Sequence, residues 1–185
     1  GAPRPASATP GKAARLGGVG LGLLVITAFE DGKLLTIAYQ RADGSEAWRA
    51  DAGAEQIEKF YAAESSPAAS TPASDGEHIV SYFGSCGLRC YDLAGKEQWR
   101  HELPPARLPG NFGSGVSPIV VDGLAVLVHD TQDGSEIMAL DVATGDVKWH
   151  QARQSIVSYS TPVAWKTSAG TQIVAAGHGR LVSYD

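Results

Sequence analysis

The sequence has little charge, few cysteines and no long apolar run. Only 19% of its residues are charged, the net charge is -5, and no five like charges stand together. Nucleic-acid binding wants a basic face, so the mild acidity argues against it, and no polybasic patch offers itself to a membrane. The longest apolar stretch, Val19 to Phe29, is interrupted by Gly20 and Gly22 and is too short to span a bilayer. Two readings of it stand: the core of a signal peptide with Arg15 ahead of it, or a buried strand. Glu30-Asp31-Gly32-Lys33 follows as a hairpin turn and favours the strand. The chain does not begin with methionine, so the lack of a visible targeting segment says little.

What the sequence does have is a period. Trp48, Trp99 and Trp149 lie 51 and 50 residues apart, and glycine stands four residues before each, at Gly44, Gly95 and Gly145. Recurrence at this interval marks stacked supersecondary units. The best unit runs Ala139-Leu140-Asp141-Val142-Ala143-Thr144-Gly145-Asp146-Val147-Lys148-Trp149. A second runs Ala38 to Trp48, and a third runs Cys90-Tyr91-Asp92-Leu93-Ala94-Gly95-Lys96-Glu97-Gln98-Trp99, one residue shorter. A fourth begins at Val182-Ser183-Tyr184-Asp185. Each reads as a hairpin in which glycine takes a positive φ in the turn. The tryptophan then lies on an outer strand, where it can cover the joint between neighbouring sheets.

A second marker precedes the units at Thr71-Pro72, Ser117-Pro118 and Thr161-Pro162. Between marker and hairpin sit β-branched runs at Ile79-Val80, Ile119-Val120-Val121, Val126-Leu127-Val128 and Ile173-Val174. Turn signals at Asp75-Gly76, Asp122-Gly123, Asp133-Gly134 and Gly177-His178-Gly179 separate them. Short strands at even spacing with glycine turns predict an all-β chain, and about four strands per unit predict propeller blades. The expected architecture is a partial β-propeller of three to four four-stranded antiparallel blades. Residues 1–16 match the repeat poorly. The approximate blades are 17–52, 67–103, 112–152 and 161–185, the last truncated. Asp51 to Glu64 could hold a turn or two of helix, but reads better as an inter-blade loop.

Residues 139–149 fit the pattern Ala-x-Asp-x-x-Thr-Gly-x-x-x-Trp at every specified position. Residues 38–48 fit it with Gln40 for Asp and Asp43 for Thr, and residues 90–99 with Cys90 for Ala and one deletion. That pattern resembles the tryptophan-docking motif of the pyrroloquinoline-quinone-like propeller repeat. Tyr82-Phe83-Gly84-Ser85, Tyr91-Asp92-Leu93 and Ser158-Tyr159-Ser160-Thr161-Pro162 add a likeness to its BamB-like, outer-membrane-assembly subgroup. The resemblance implies a ring of about seven or eight blades, hence that this chain is a piece of one. It implies structural docking roles for Ala38, Gly44, Trp48, Cys90, Asp92, Gly95, Trp99, Ala139, Asp141, Thr144, Gly145 and Trp149. It also implies a periplasmic or otherwise extracytoplasmic setting and a protein partner.

The enzymatic reading of the same resemblance is a pyrroloquinoline-quinone-dependent dehydrogenase. There the cofactor stacks between a tryptophan and a disulfide of adjacent cysteines, with calcium polarising the quinone. Cys86 and Cys90 are not adjacent, and no calcium set of Glu, Asn and Asp stands out. The pair reads instead as buried thiols, Cys90 replacing a small alanine, with a hairpin disulfide as the alternative. A metal pair would need two more ligands, and no histidine has the spacing. His78, His101, His129, His150 and His178 are scattered and read as surface or loop residues. Asp130 to Glu136 lacks the alternating oxygen ligands of a calcium loop, and Gly110 to Gly115 lacks the Lys-Ser/Thr of a phosphate loop. No nucleophile-elbow spacing is present.

The reading is therefore a scaffold or protein-binding module with no catalytic, cofactor-binding or metal residue assigned. Propeller function sits on rim loops, and the longer connections are residues 51–70, 103–116 and 151–160. The alternative is a piece of a quinone-dependent dehydrogenase, the one case that would bring pyrroloquinoline quinone and calcium. A membrane receptor's sensor portion is a third possibility.

Overall fold

The computed structural model describes residues 15–18 and 22–185. The described residues form four antiparallel sheets, and their only helical segment is a single 3-10 turn at Pro109–Asn111. The first sheet holds β1 (Arg15–Gly18), β2 (Leu23–Glu30), β3 (Lys33–Gln40) and β4 (Glu46–Asp51). The second holds β5 (Ala73–Ser74), β6 (His78–Phe83), β7 (Gly87–Asp92) and β8 (Glu97–His101). The third holds β9 (Ile119–Val121), β10 (Leu124–Thr131), β11 (Gly134–Asp141) and β12 (Val147–Ala152). The fourth has three strands, β13 (Val163–Thr167), β14 (Gly170–Gly177) and β15 (Arg180–Tyr184). Every sheet is a meander in chain order.

The middle strands are covered on both faces and read as nearly unbroken apolar runs, as in Leu23 to Phe29 on β2 and Leu124 to Val128 on β10. The outer strands β4 and β12 are half-buried to exposed and carry the charges. Asp31-Gly32 turns β2 into β3 with φ of 49° and 78°, and Asp122-Gly123 turns β9 into β10 with 48° and 79°. Both central residues at positive φ match the right-handed strand twist, which is why Asp-Gly is used.

The sheets stack face to face in chain order. Leu23, Val25, Ala38 and Trp48 of the first pack on Ile79 and Tyr91 of the second. Val80, Tyr82, Leu88, Cys90 and Trp99 continue into Ala125, Leu127, Met138 and Leu140 of the third, and the same core reaches Ile173 and Ala175 of the fourth. Inner strands β1, β5, β9 and β13 neighbour one another in that order. Meanders stacked around a common axis make a partial β-propeller, as the repeat leads one to expect.

The Ser/Thr-Pro marker has a physical role in this stack. The Thr71 N–H donates to Ser117 Oγ at 2.9 Å, and the Ser117 N–H donates to Thr161 Oγ1 at 3.0 Å. Each hydroxyl accepts from its counterpart one unit earlier. Each proline sits just before an inner strand, where its missing N–H breaks no ladder bond.

Two expectations change. Arg15 and Leu16 pair with Thr27 and Ile26, so the first sheet starts before residue 17. Residues 1–14 and 19–21 lie outside the described residues, so part of the Val19 to Phe29 stretch does too, while Leu23 onward is strand. His129 is buried in β10 at 7% exposure and is not a surface or loop residue, because that strand is covered on both faces. The segment 51–64 holds no helix, in keeping with the loop reading. No helix among the described residues is long and apolar enough to cross a membrane, which leaves β-barrels unaddressed.

Candidate functional site

A meander of up and down strands puts its connections at two rims. One rim carries the outer hairpins with the Gly and Trp residues. The Ala38↔Trp48, Cys90↔Trp99 and Ala139↔Trp149 pairs occupy the same register, and a one-residue shift follows each. Asp141 Oδ1 accepts the N–H groups of Ala143 and Thr144, and Asp92 Oδ1 those of Ala94 and Lys96. Thr144 donates to Asp146. Gly44, Gly95 and Gly145 hold φ of 74°, 84° and 79°. The Trp48 indole donates to Leu93 O at 3.0 Å and lies on Gly95, and the Trp99 indole donates to Val142 O at 2.8 Å and lies on Gly145. Trp149 instead stacks on the Tyr184 ring, 6.2 Å between centroids.

The other rim gathers the three long connections, β4 to β5, β8 to β9 and β12 to β13. They run over residues 52–72, 102–118 and 153–162, close to the loops expected at 51–70, 103–116 and 151–160, of which Asp51, Gln151 and Ala152 fall in strands. The Ala106 N–H donates to Gly84 O and the Gln132 N–H to Arg107 O, so the second loop leans on both the β6–β7 and the β10–β11 hairpins. Four large apolar side chains stand exposed on these loops. They are Tyr61 at 51%, Phe112 at 50%, Ile156 at 61% and Tyr159 at 46%.

Beneath them lies a set of buried ionisable groups that the sequence did not point to. Glu58, 3% exposed, accepts the Ser114 N–H at 3.1 Å and the Ser114 hydroxyl at 2.8 Å, while its own N–H donates to Ser85 Oγ. Gly84 has no Cβ, and one there would fall on Ser114 Oγ and Glu58 Oε2. Desolvation pushes the Glu58 carboxyl up to about 7, against the pull of the two Ser114 bonds. Arg89 is fully buried and donates to Ala52 O, Cys86 O, Leu88 O and both oxygens of Glu102. Arg153 donates to Asp130, Ala176 O and the Tyr184 hydroxyl, tying the third loop to sheets three and four. A spacing pattern could not signal these residues, because their partners are set by the stacking of sheets.

Cys86 and Cys90 are both free and buried. Burial pushes their thiols up to about 11 and about 12, so they stay protonated and unreactive at neutral pH. Among the described residues no three His, Cys, Asp or Glu side chains converge to hold a metal ion.

Two of the clefts at this rim flank the second loop. One of about 370 Å³ is lined by Gln56, Glu58, Lys59, Arg107, Leu108 and Asn111, among others. The other, about 300 Å³, lies between Leu103–Ala106 and the β10–β11 hairpin and includes His129, Glu136 and His150. Pro105 and Ala106 line both.

A family model described as outer membrane protein assembly factor BamB matches residues 30–185. Among solved structures, BamB from Moraxella catarrhalis aligns at TM-score 0.61 and 15% identity, over 89% of this chain and 46% of that one. Quinohemoprotein alcohol dehydrogenase from Comamonas testosteroni aligns at 0.53 and 19% identity, over 71% and 19%. The computationally designed Ika4 protein aligns at 0.58 and 14% identity, over 89% and 86%. Such identities show the fold alone. The chain spans less than half of that BamB chain and about a fifth of the dehydrogenase. A comparison with curated proteins finds no match.

Proposed function

The chain belongs to the family of the outer membrane protein assembly factor BamB, and from that premise we propose that it is a non-catalytic scaffold that binds a protein partner in an extracytoplasmic, envelope-related setting. The observation that carries this reading is the exposure of Tyr61, Phe112, Ile156 and Tyr159 across all three long loops of one rim. Apolar side chains gathered on loops over a rigid framework suit a protein interface, and aromatics supply contact area at low entropy cost. Those loops are held by Glu58–Ser114, Arg107–Asp133 and Arg153–Asp130, so less ordering is left to be done on binding. The Gly and Trp residues of the opposite rim serve to dock one sheet on the next.

The likeness to quinohemoprotein alcohol dehydrogenase favours a second reading, a piece of a quinone-dependent dehydrogenase. The described residues do not fit that cofactor. Cys86 and Cys90 are separate buried thiols, and Trp48 and Trp99 are engaged by the neighbouring turns.

The test compares recovery of a partner from envelope extract by the unaltered chain, by a Tyr61→Ser/Phe112→Ser/Tyr159→Ser variant, and by Lys96→Glu on the opposite rim. Recovery by the first and third but not the second is expected. Equal recovery by all three overturns the rim assignment. Stoichiometric binding of pyrroloquinoline quinone with calcium, or alcohol-dependent dye reduction, overturns the scaffold in favour of the dehydrogenase.

A further inference from the structure

The 300 Å³ cleft is built by strand register. His129 and Glu136 are direct partners across β10 and β11, so their side chains share a face. His150 on β12 pairs with Met138, two residues from Glu136, and stands on that face as well. The Glu136 carboxylate is bracketed, with Oε1 3.4 Å from His129 Nδ1 and Oε2 2.9 Å from His150 Nε2. A carboxylate oxygen only accepts, so the ring proton of neutral His129 belongs on Nδ1 and Nε2 is left as an acceptor. Desolvation holds this imidazole below its ordinary value, in its neutral form. Its Nε2 is buried and has no hydrogen-bond partner among the described residues. Asp133 also lines the cleft, with its carboxylate already paired to Arg107 at 2.8 Å.

The two clefts differ in charge. Lys59 and Arg107 line the larger one, and no lysine or arginine lines the smaller. The smaller therefore offers acceptors, the Glu136 carboxylate and an unsatisfied imidazole nitrogen, and wants donors and positive charge. We propose that it takes the guanidinium of an arginine side chain from a partner polypeptide, seated on Glu136 with an N–H directed to His129 Nε2. This rests on the reading of the rim as a partner-binding surface, and names what that partner presents. Guanidinium carries five donors in a planar fork and can serve both acceptors together, whereas an ammonium is a point charge on a flexible stem.

The test titrates the full ¹⁵N-labelled chain with N-acetyl-arginine amide, and with N-acetyl-citrulline amide as the uncharged isostere. Saturable shifts are expected at Leu103, Ala106, His129, Glu136 and His150 with the arginine probe, and none with the citrulline probe. Glu136→Gln removes the charge at the seat and should weaken binding roughly tenfold or more, the size of a lost charge-assisted bond. Should that variant fail to fold by its amide spectrum, Ala152→Arg, at the strand position facing Glu136, replaces it and should abolish binding by filling the seat. Shifts scattered over the surface, an equal response to citrulline, or unchanged affinity in the charge variant overturns the proposal. The probe reads the cleft alone. A silent probe with a partner still lost from the Tyr61/Phe112/Tyr159 variant removes the cleft and leaves the rim reading standing.

Discussion

The indole of Trp99 lies flat on the backbone of Gly145, one sheet away. Its N–H donates to Val142 O at 2.8 Å, and a Cβ on Gly145 would come within 2.8 Å of its Cδ2. The pair couples a turn that only glycine fills comfortably, at φ 79°, to a large ring buried at the joint between sheets two and three. Trp99→Ala should cost about 3–5 kcal/mol, transfer and cavity together. Trp99→Phe should cost less, with about 1 kcal/mol of it the lost bond to Val142 O. Urea denaturation reads both. A Trp99→Ala loss well under 1 kcal/mol would mean that the ring does not dock the sheets.

Trp149 holds the same sequence position but a different environment. It is half-buried and stacks on Tyr184 at an 18° interplanar angle, with no acceptor for its N–H among the described residues. Trp149→Ala should therefore cost only about 1–2 kcal/mol, the value of a partly buried aromatic contact. Equal losses at Trp99 and Trp149 would contradict the assignment of the difference to the turn.

The Gly and Trp hairpins were legible because their signal is local. Eleven residues hold the whole device in Ala139 to Trp149, from the alanine that faces the tryptophan to the glycine that turns the chain. The Ser/Thr-Pro marker was visible as a repeat, but not its use, because the bond from the Thr71 N–H to Ser117 Oγ spans 46 residues. Glu58 and Ser114 are 56 residues apart, and Arg153 and Asp130 are 23 apart. Nothing near Glu58 in sequence distinguishes it from Glu55 or Glu64. His129 departs from the surface reading for the same reason. A histidine between Val128 and Asp130 looks like a strand end, and long-range neighbours such as the Tyr82 ring of the adjacent sheet make it core.

Val163, Trp165 and Leu181 form an exposed apolar face on the fourth sheet, at 62%, 60% and 73% exposure. They lie on the side away from Ile173 and Ala175, which pack on the third sheet. Residues 1–185 by themselves should self-associate through this face. Trp165→Thr with Leu181→Thr should shift sedimentation toward monomer with little change in unfolding midpoint, since exposed substitutions seldom exceed about 0.5 kcal/mol. Unchanged association would place the sticky surface elsewhere.

Asp130 and Arg153 form an ion pair with both side chains out of water, 3% exposed for Arg153 and 0% for Asp130. Removing one partner strands a buried charge. Asp130→Ala or Arg153→Ala should each cost about 3–5 kcal/mol, whereas removing both should cost much less than the sum. A double-mutant cycle by chemical denaturation measures this. Additive losses would mean that the pair is solvated, and that Arg153 holds the third loop through Ala176 O and Tyr184 instead.

Glu58 should make stability fall as pH rises toward neutrality. Its folded value is raised from 4.5 to about 7 because burial disfavours the charge more than the two Ser114 bonds favour it. The sign follows from proton counting. Between those two values the folded chain binds more protons than the unfolded one, so this group's contribution is intact below the unfolded value. It drains away as pH climbs through the folded one. A shift of that size is worth on the order of 3 kcal/mol, at 1.36 kcal/mol per pH unit. Glu58→Gln keeps the shape and an oxygen to accept the Ser114 N–H, but cannot ionise. The stability difference between variant and parent should therefore move in favour of the variant by about 3 kcal/mol from pH 4.5 to pH 8, and be flat above that. Urea denaturation of both chains at several pH values gives the difference curve, and cancels every group they share. A flat curve would show that Glu58 ionises normally, with water reaching it beside Ser114. The rim loops would then lack the dry anchor that the Glu58–Ser114 bonds describe, and the two loops they join should exchange their amide protons fast at every pH.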